Sequence, residues 1–314
     1  MLLATPRPLL RGAWHGQVRT CSPLGVVSRG RPGTAAFVRS CTNSYDQAGT
    51  AAAFAQAVSN NMATYALMEA AAVEAALQRA LPQGLHNVRV IDIGCGEGRW
   101  SRALAARGAV VTGVDPSQEL VDMSNAAQKQ KQQHEGAAGV MNGRVDFVHG
   151  SVLDPTCLAG RQPADLALSV MVLQMMRSSR ELAAMAQFTA ASLRPGGDML
   201  FIFVSDAYEP CDEQNRLMAA DWGWESRRTS PFTTDDGAAI LAVLFTMVAS
   251  SRSGDAVQVL NLQWPRADVE RAFVAAGFTR LRWATFDEAV PGSEASLMYT
   301  RNPHAALLTA TLAG

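Results

Sequence analysis

The stretch "VIDIGCGEGRW", residues Val90–Trp100, joins a run of apolar residues to three glycines at alternate positions. Val88–Ile93 predicts a buried strand, and Trp100–Arg107 predicts the helix that follows it. A glycine-rich turn between a strand and a helix lets the backbone approach a ligand closely, because glycine has no side chain and adopts positive φ. The stretch therefore predicts the ligand-binding turn of a parallel α/β sheet.

The glycine spacing does not match either common phosphate-binding motif. Gly94, Gly96 and Gly98 form G-x-G-x-G, whereas the dinucleotide fingerprint G-x-G-x-x-G requires glycine where Arg99 stands. The P-loop motif requires a following Gly-Lys-Ser/Thr, which is absent from the sequence. The glycine spacing alone therefore does not identify the ligand.

Strand and helix patterns alternate along the chain after the first 43 residues. Strands are predicted at Val110–Val114, Val145–Val148, Ala164–Val172, Met199–Val204, Ala256–Leu262, Arg280–Phe286 and Leu297–Thr300. Helices are predicted at Ala51–Leu81, Gln118–Gln133, Ser179–Leu193 and Ala267–Ala276. This alternation predicts an α/β fold, a mostly parallel sheet with helices on both faces.

Composition limits the class of protein. The chain has 314 residues, of which 48% are hydrophobic and 18% charged, and can bury a substantial core. Its longest nearly uncharged apolar stretch, Ala238–Ala249, is shorter than the roughly 20 residues that cross a bilayer. Cys95, Cys157 and Cys211 form no C-x-x-C pair, so neither a metal site nor a disulfide framework is predicted. No membrane span is expected.

The first 43 residues have a different composition from the rest. They contain six arginines and no acidic residue, which is typical of an organelle transit peptide and predicts a mitochondrial protein, with a plastid or a merely disordered N-terminus as alternatives. Residues 44–314 carry 21 basic and 28 acidic residues, a formal charge of about −7. Such a net acidic body disfavours a nucleic-acid partner.

Five residues in and after the glycine loop resemble a known family. Asp92, Gly94, Gly96 and Gly98 are followed by Asp115, which ends the second predicted strand in "VVTGVDPS". Together with the strand at Val145 and "LRPGG" before the fifth strand, this pattern resembles the class I S-adenosylmethionine-dependent methyltransferases. The resemblance implies a doubly wound, Rossmann-like sheet of seven mostly parallel strands that ends in an antiparallel hairpin.

The resemblance also implies a cofactor, S-adenosyl-L-methionine, and residues that hold it. An acid at Asp92 helps to hold the methionine amino group, and Asp115 holds both ribose hydroxyls, because a carboxylate accepts two charge-assisted hydrogen bonds from a vicinal diol. The alternative for Asp115 is a helix N-cap before Pro116. The remaining cofactor-binding residues implied by the resemblance are Tyr45, Gly94, Cys95, Gly96, Gly98, Pro116, Ser151, Val152 and Ser169.

The sequence departs from the family pattern at two places and lacks one motif that would indicate a different acceptor. Ser151 stands where relatives have an aspartate that binds the adenine amino group, and a neutral hydroxyl is a weaker acceptor. Leu173-Gln174-Met175 replaces the "L-H-H" of many small-molecule relatives, so a histidine base is absent there. The Asn/Asp-Pro-Pro-Tyr of amino-methylating enzymes is also absent after the fourth strand. No catalytic base is assigned, although His149, Asp206, Tyr208, Glu209 and His304 are conceivable candidates.

The segment 205–255 is predicted to be an inserted helical lid that binds the acceptor. It contains Tyr208, Trp222 and Trp224, the proposed substrate residues, and an apolar helix is predicted to begin near Thr234. A packing subdomain or a dimer face is the alternative for this segment.

The predicted organisation is a transit peptide at 1–43 and a methyltransferase domain at 44–314, with the cofactor core at 88–204. The predicted function is methyl transfer from S-adenosylmethionine to a small, partly apolar molecule. The alternatives are a protein or RNA methyltransferase, and a non-catalytic cofactor-binding assembly factor. The oligomeric state is not predicted.

Overall fold

The computed structural model describes residues 63–135, 143–222, 224–248, 256–285 and 294–314. The predicted transit peptide, Tyr45 and the first part of the helix predicted from Ala51 lie outside the described residues.

The helices and strands that the structure describes are numbered here in chain order. The helices are α1 (Ala63–Ala80), α2 (Arg99–Ala106), α3 (Gln118–Glu135), α4 (Ser179–Ser192), α5 (Asp212–Trp222), α6 (Arg266–Ala275) and α7 (Glu294–Arg301). The strands are β1 (Arg89–Ile93), β2 (Val110–Asp115), β3 (Arg144–His149), β4 (Ala164–Val170), β5 (Leu193–Val204), β6 (Trp224–Arg228), β7 (Phe232–Thr233), β8 (Ala239–Val248), β9 (Ala256–Gln263), β10 (Phe278–Ala284) and β11 (Ala305–Leu312). Short 3₁₀ helices lie at Pro155–Leu158 and Leu173–Met175.

Seven strands form the main sheet in the order β10-β11-β5-β4-β1-β2-β3. The pairs β1–β2, β2–β3, β1–β4 and β4–β5 are parallel, whereas β11 runs antiparallel to both β5 and β10. The strand order reverses between β1 and β4, so a crevice opens beyond the carboxyl ends of these two strands. The predicted α/β fold with an antiparallel C-terminal strand pair is confirmed.

The sheet is covered on both faces, because alternate residues of its strands point to opposite sides. Val90 of β1 packs with residues of α1 and α2, while Ile91 packs with residues of α4 and α6. Asp92 comes next in the strand and therefore points to the α2 side, where Ser101 of that helix meets it. The alternation of β1 thus decides which helix supports the candidate site.

The segment between β5 and α6 differs from the predicted helical lid. Its described residues form one helix, α5, followed by an antiparallel sheet in which β8 pairs with β6, β7 and β9. The helix predicted from Thr234 is wrong, because Thr234 N donates to Ala238 O and Gly237 N donates to Thr234 O, which closes a hairpin turn into β8. Val243, Leu244 and Phe245 on β8 are all buried, and a strand buried on both faces has no alternation that separates it from a helix.

The predicted last strand at Leu297–Thr300 is also wrong. These residues lie in α7, and the strand beside β5 is β11, which begins at Ala305 after Asn302-Pro303 has ended the helix. The sequence of β11, "AALLTATL", has many helix-favouring residues, but its pairing with β5 and β10 decides its conformation. Tertiary context overrides local propensity here.

None of the helices in the described parts of the chain is both long and apolar enough to cross a membrane.

Candidate functional site

The glycine loop is fixed to the carboxyl ends of two neighbouring strands. Gly94 N and Cys95 N both donate to Val114 O near the end of β2, at 2.8 and 3.0 Å. Gly94 has φ +70°, and a Cβ at this position would run into the side chain of Val172, which follows β4. The loop therefore lies at the point where the strand order reverses.

Gly96 faces open space at the centre of the loop. Its φ is +57°, and a Cβ placed there would meet no atom within 4 Å. A side chain at this position would be strained and would project into that space. Gly96 thus keeps a cradle open above the backbone, where a ligand can approach the peptide groups.

Asp115, the last residue of β2, ties the loop to the sheet. Its Oδ2 accepts a hydrogen bond from Gly96 N and its Oδ1 accepts one from Ser117 N, both at 2.9 Å. The residue is only 6% exposed, and burial raises the pKa of its carboxyl above the ordinary value while the two backbone donors lower it. Each carboxylate oxygen can accept a further hydrogen bond, so the group can also bind a vicinal diol.

Asp92 lies beneath the same loop. It is 2% exposed, and Ser101 Oγ donates to its Oδ2 at 2.6 Å. The pKa of Asp92 is raised to about 6, mainly by burial and also by the nearby charge of Asp115, whereas the Ser101 hydrogen bond lowers it. A buried carboxylate next to a second one favours a cationic ligand, which would offset the repulsion between the two acids.

The end of β3 lies beside Asp115. His149 is paired in register with Asp115, and Gly150 N donates to Asp115 O at 3.0 Å. The His149 ring nitrogen Nε2 lies 2.9 Å from Pro116 O, and Ser151 Oγ accepts a hydrogen bond from Leu153 N at 3.2 Å. Pro116, Ser151 and the following Val152 are thus brought to the Asp115 side of the crevice. The Ser151 hydroxyl accepts this bond and can still donate its own hydrogen to a ligand.

Cys95 and Ser169 are buried below the loop. Ser169 is 1% exposed, and its Oγ donates to Ile93 O at 3.0 Å, which fastens β4 to the end of β1. The Cys95 Sγ would lie against a Cβ at Gly113, and burial raises the pKa of this thiol so strongly that it stays protonated. Both side chains support the loop from inside the protein.

Three partly exposed apolar side chains follow β4 at the other side of the crevice: Met171, Val172 and Met175. Met171 has φ +59°, which is uncommon for a residue with a side chain, and its N–H donates to Ile202 O at 2.6 Å. Backbone strain of this kind is often found at functional sites. These residues form an apolar surface next to the glycine loop, and the sequence analysis assigned no role to them.

An aromatic cluster packs above the ends of β5 and β11. His304 lies at its centre, with ring centroids 5.0 to 6.0 Å from those of four neighbours, Tyr208, Trp224, Phe245 and Tyr299. Tyr208 and Trp224 are 1% and 3% exposed, and the Tyr208 hydroxyl hydrogen-bonds Ser226 Oγ at 2.6 Å. The cluster is packed core rather than an open surface, because the inserted sheet closes over it.

The conceivable bases are held in other interactions. Burial lowers the pKa of His304 to about 3, so the ring is neutral at physiological pH. Asp206 accepts a hydrogen bond from Arg266 N at 3.0 Å, and Glu209 pairs with Arg228 at 2.6 Å.

Trp222 ends α5, and its side chain lies outside the described part of the structure.

The structure reveals supporting residues that the sequence analysis missed. Ser101 Oγ donates to Asp92, the backbone N–H of Ser117 donates to Asp115, and Ser124 Oγ donates to Gly96 O at 3.0 Å. Ser101 and Ser124 lie in the helices that follow β1 and β2, and small hydroxyl residues in these helices were the available signal. Across the residues that the structure describes, no group of three His, Cys, Asp or Glu side chains could hold a metal ion.

Comparisons with known proteins agree with this arrangement. A family model described as methyltransferase domain matches residues 65–245. A ubiquinone biosynthesis O-methyltransferase of Idiomarina loihiensis is 32% identical over 119 residues, which are 38% of this chain and 43% of that protein. A mitochondrial ubiquinone biosynthesis O-methyltransferase of Schizosaccharomyces pombe is 38% identical over 64 residues, 20% of this chain and 21% of that protein. The chain spans less than half the length of these curated relatives.

A solved structure shares the fold. The chain is similar to a putative S-adenosylmethionine dependent methyltransferase from Listeria monocytogenes, with a TM-score of 0.50 and 17% identity over 79% of this chain and 99% of that one.

Proposed function

The chain belongs to the methyltransferase-domain family, and from this premise we propose that it transfers the methyl group of S-adenosylmethionine to a small, partly apolar acceptor. One observation carries the proposal. The open cradle at Gly96 lies between two buried acids, Asp92 and Asp115, at the carboxyl edge where the strand order reverses.

The residues at this edge fit the cofactor. Asp115 has unused acceptor capacity for the two ribose hydroxyls, and its backbone bonds already hold it in place. Asp92 supplies negative charge for the methionine ammonium group, and Ser101 orients it. The cradle at Gly96 leaves room between them, and we assign Ser151 and Val152 to the adenine side.

Methyl transfer from S-adenosylmethionine depends more on the positions of the reacting groups than on proton transfer. When bound, S-adenosylmethionine supplies a methyl group that is already activated for in-line displacement by a nucleophile. The chain's own task is to hold the acceptor atom near that methyl and to exclude water. Met171, Val172 and Met175 offer an apolar surface for this purpose.

The two curated relatives are named O-methyltransferases of ubiquinone biosynthesis. We therefore infer an oxygen atom as the methylated position, on an acceptor with an apolar ring or chain. The excess of acids over bases after residue 43 and the apolar surface beside the loop support a small molecule over a nucleic acid. Met171 and Met175 pack against the buried core that contains Tyr208 and Trp224, so we assign these two aromatic residues a supporting role behind this surface.

We also propose that residues 1–43 direct the protein to the mitochondrion. Six arginines without an acid support this, and one relative is a mitochondrial protein.

Acceptor-side variants test the proposed function. Met171→Ala and Met175→Ala should each raise the acceptor KM about three- to thirty-fold, because each removes apolar contact area, while the Kd of S-adenosylmethionine stays within about two-fold. Val274→Ala is the matched control, since Val274 is 58% exposed on α6 and distant in sequence from the loop. Unchanged acceptor KM in both methionine variants would show that the acceptor binds elsewhere.

A further inference from the structure

A buried glutamate joins helix α1 to the glycine loop. Glu69 is 2% exposed, and a buried carboxylate is costly unless it is paired. Its partners come from the first two residues of α2: the Arg99 guanidinium and the Trp100 indole N–H both donate to its Oε1, the latter at 3.1 Å. Arg99 also stacks over the Trp100 ring, 5.0 Å from its centre.

These two partners are continuous with the cofactor cradle. Arg99 and Trp100 follow Gly98, the last glycine of the loop, whose φ of +80° sets the direction in which α2 begins. A ligand that fixes the loop therefore also fixes the guanidinium and the indole that hold Glu69.

Helix α1 reaches the aromatic cluster as well. Val73, Ala76 and Leu77 of α1 belong to the same buried core as Tyr208 and Tyr299. Helix α1 also contacts β5, α5 and α7, the elements around the cluster. Helix α1 is thus placed between the cofactor loop and the part of the fold that closes over the acceptor side.

A second glutamate on the same helix provides a contrast. Glu74 pairs with Arg107 after the end of α2, at 2.5 Å, but both side chains are at least 40% exposed. Exposed ion pairs of this kind contribute little to stability or positioning. Helix α1 is therefore attached to α2 by a pair at the loop whose glutamate is buried and by an exposed pair at the far end.

We propose that Glu69 is a positioning residue that couples cofactor binding to the placement of α1. Cofactor in the loop orders Arg99 and Trp100, these hold Glu69, and α1 then completes the site beside the acceptor. The coupling is reciprocal, so a correctly placed α1 must also tighten cofactor binding by the same factor. This inference rests on the proposed function, because it requires the Gly96 cradle to be the cofactor site.

Hydrogen exchange and calorimetry on the full chain test the proposal, with S-adenosylhomocysteine as the probe. In the unmodified protein, saturating probe should slow amide exchange in residues 69–80 by about five-fold or more, the lower range of typical coupling. In Glu69→Gln the slowing should fall below about two-fold, and the probe should bind about five-fold more weakly. Glu74→Gln, the matched control, should behave as the unmodified protein.

Trp100→Phe provides a second reading, because it removes the indole donor but keeps an aromatic ring in α2. It should also reduce the slowing of amide exchange in residues 69–80 by the probe. If Glu69→Gln does not fold, this variant tests the proposal in its place. A purely structural Glu69 would lower the melting temperature while leaving the effect of the probe on α1 unchanged, and that result would overturn the proposal. Probe that binds the unmodified protein without slowing exchange in α1 would also overturn it. A chain that binds no probe contradicts the proposed function itself and removes the basis for the coupling.

Discussion

Replacement of Asp92 by asparagine should increase stability and weaken cofactor binding at the same time. The folded protein holds the pKa of this carboxyl at about 6, against an ordinary value of 3.8, because the group is buried. Its folded pKa lies above its unfolded pKa, so protonation favours the folded state, and stability falls as pH rises from about 4 through about 6. Above that range the protein bears the full cost of a buried charge.

The magnitude follows from the pKa difference. Each pKa unit corresponds to about 1.4 kcal/mol, so the ionised Asp92 destabilises the fold by about 3 kcal/mol at pH 8. The pKa of about 6 already includes the hydrogen bond from Ser101, but asparagine buries an amide whose incomplete hydrogen bonding costs about 1–2 kcal/mol. The net gain should be about 1–2 kcal/mol, or about 3–6 °C in melting temperature. At pH 5, where folded Asp92 is mostly protonated, its destabilising effect is only about half of that at pH 8, so most of the net gain should disappear.

Thermal denaturation at the two pH values, followed by calorimetric titration with S-adenosylmethionine, measures both effects. The affinity should fall about ten-fold, because the ammonium group loses an ionised partner. Ser101→Ala is the opposite control: it removes the hydrogen bond that lowers the Asp92 pKa and should destabilise the protein more at pH 8 than at pH 5. An Asp92→Asn variant that is less stable than the unmodified protein at pH 8 would refute the buried-charge argument. Unchanged affinity of this variant for S-adenosylmethionine would refute the role of Asp92.

Four further predictions concern the same site. Asp115→Asn should weaken S-adenosylmethionine binding about ten- to a hundred-fold in calorimetry, and a folded variant with unchanged affinity would remove Asp115 from the site. Gly96→Ala should cost about 1 kcal/mol of stability for its positive φ but lose most cofactor affinity, whereas Gly94→Ala should cost clearly more stability because its Cβ has no space. Ser151→Asp should tighten cofactor binding, and weaker binding in a folded variant would show that Ser151 is not beside the adenine. A chain that starts at Thr42 should melt and bind cofactor like the full chain, and a large loss of stability would place the first residues in the fold.

The cofactor side of the fold was predictable from the sequence because its signals are local. Gly94, Gly96 and Gly98 directly follow β1, and Asp115 is the last residue of β2. Alternating strands and helices then leave few arrangements, since parallel strands need crossover helices. The predicted strand and helix order of residues 88–204 was accordingly confirmed.

The acceptor side was not predictable in the same way because its contacts are distant in sequence. β8 is buried on both faces and has no alternation, and β11 is a strand only through its pairing with β5. Tyr208 and Trp224 were expected to bind the acceptor but meet His304 from the other end of the chain in a packed cluster. The pairing of Glu69 with Trp100 likewise spans thirty-one residues and leaves no local pattern.

Transfer of a labelled methyl group tests the central claim most directly. The full chain is incubated with methyl-tritiated S-adenosylmethionine and a mitochondrial extract that has been separated into protein, RNA and small-molecule fractions, with Asp115→Asn as the matched control. The label should appear in the small-molecule fraction, in a product that extracts into organic solvent, and the control should transfer much less. Label that appears in protein or RNA, or no transfer to any fraction by a chain that binds the cofactor, would contradict a small-molecule methyltransferase.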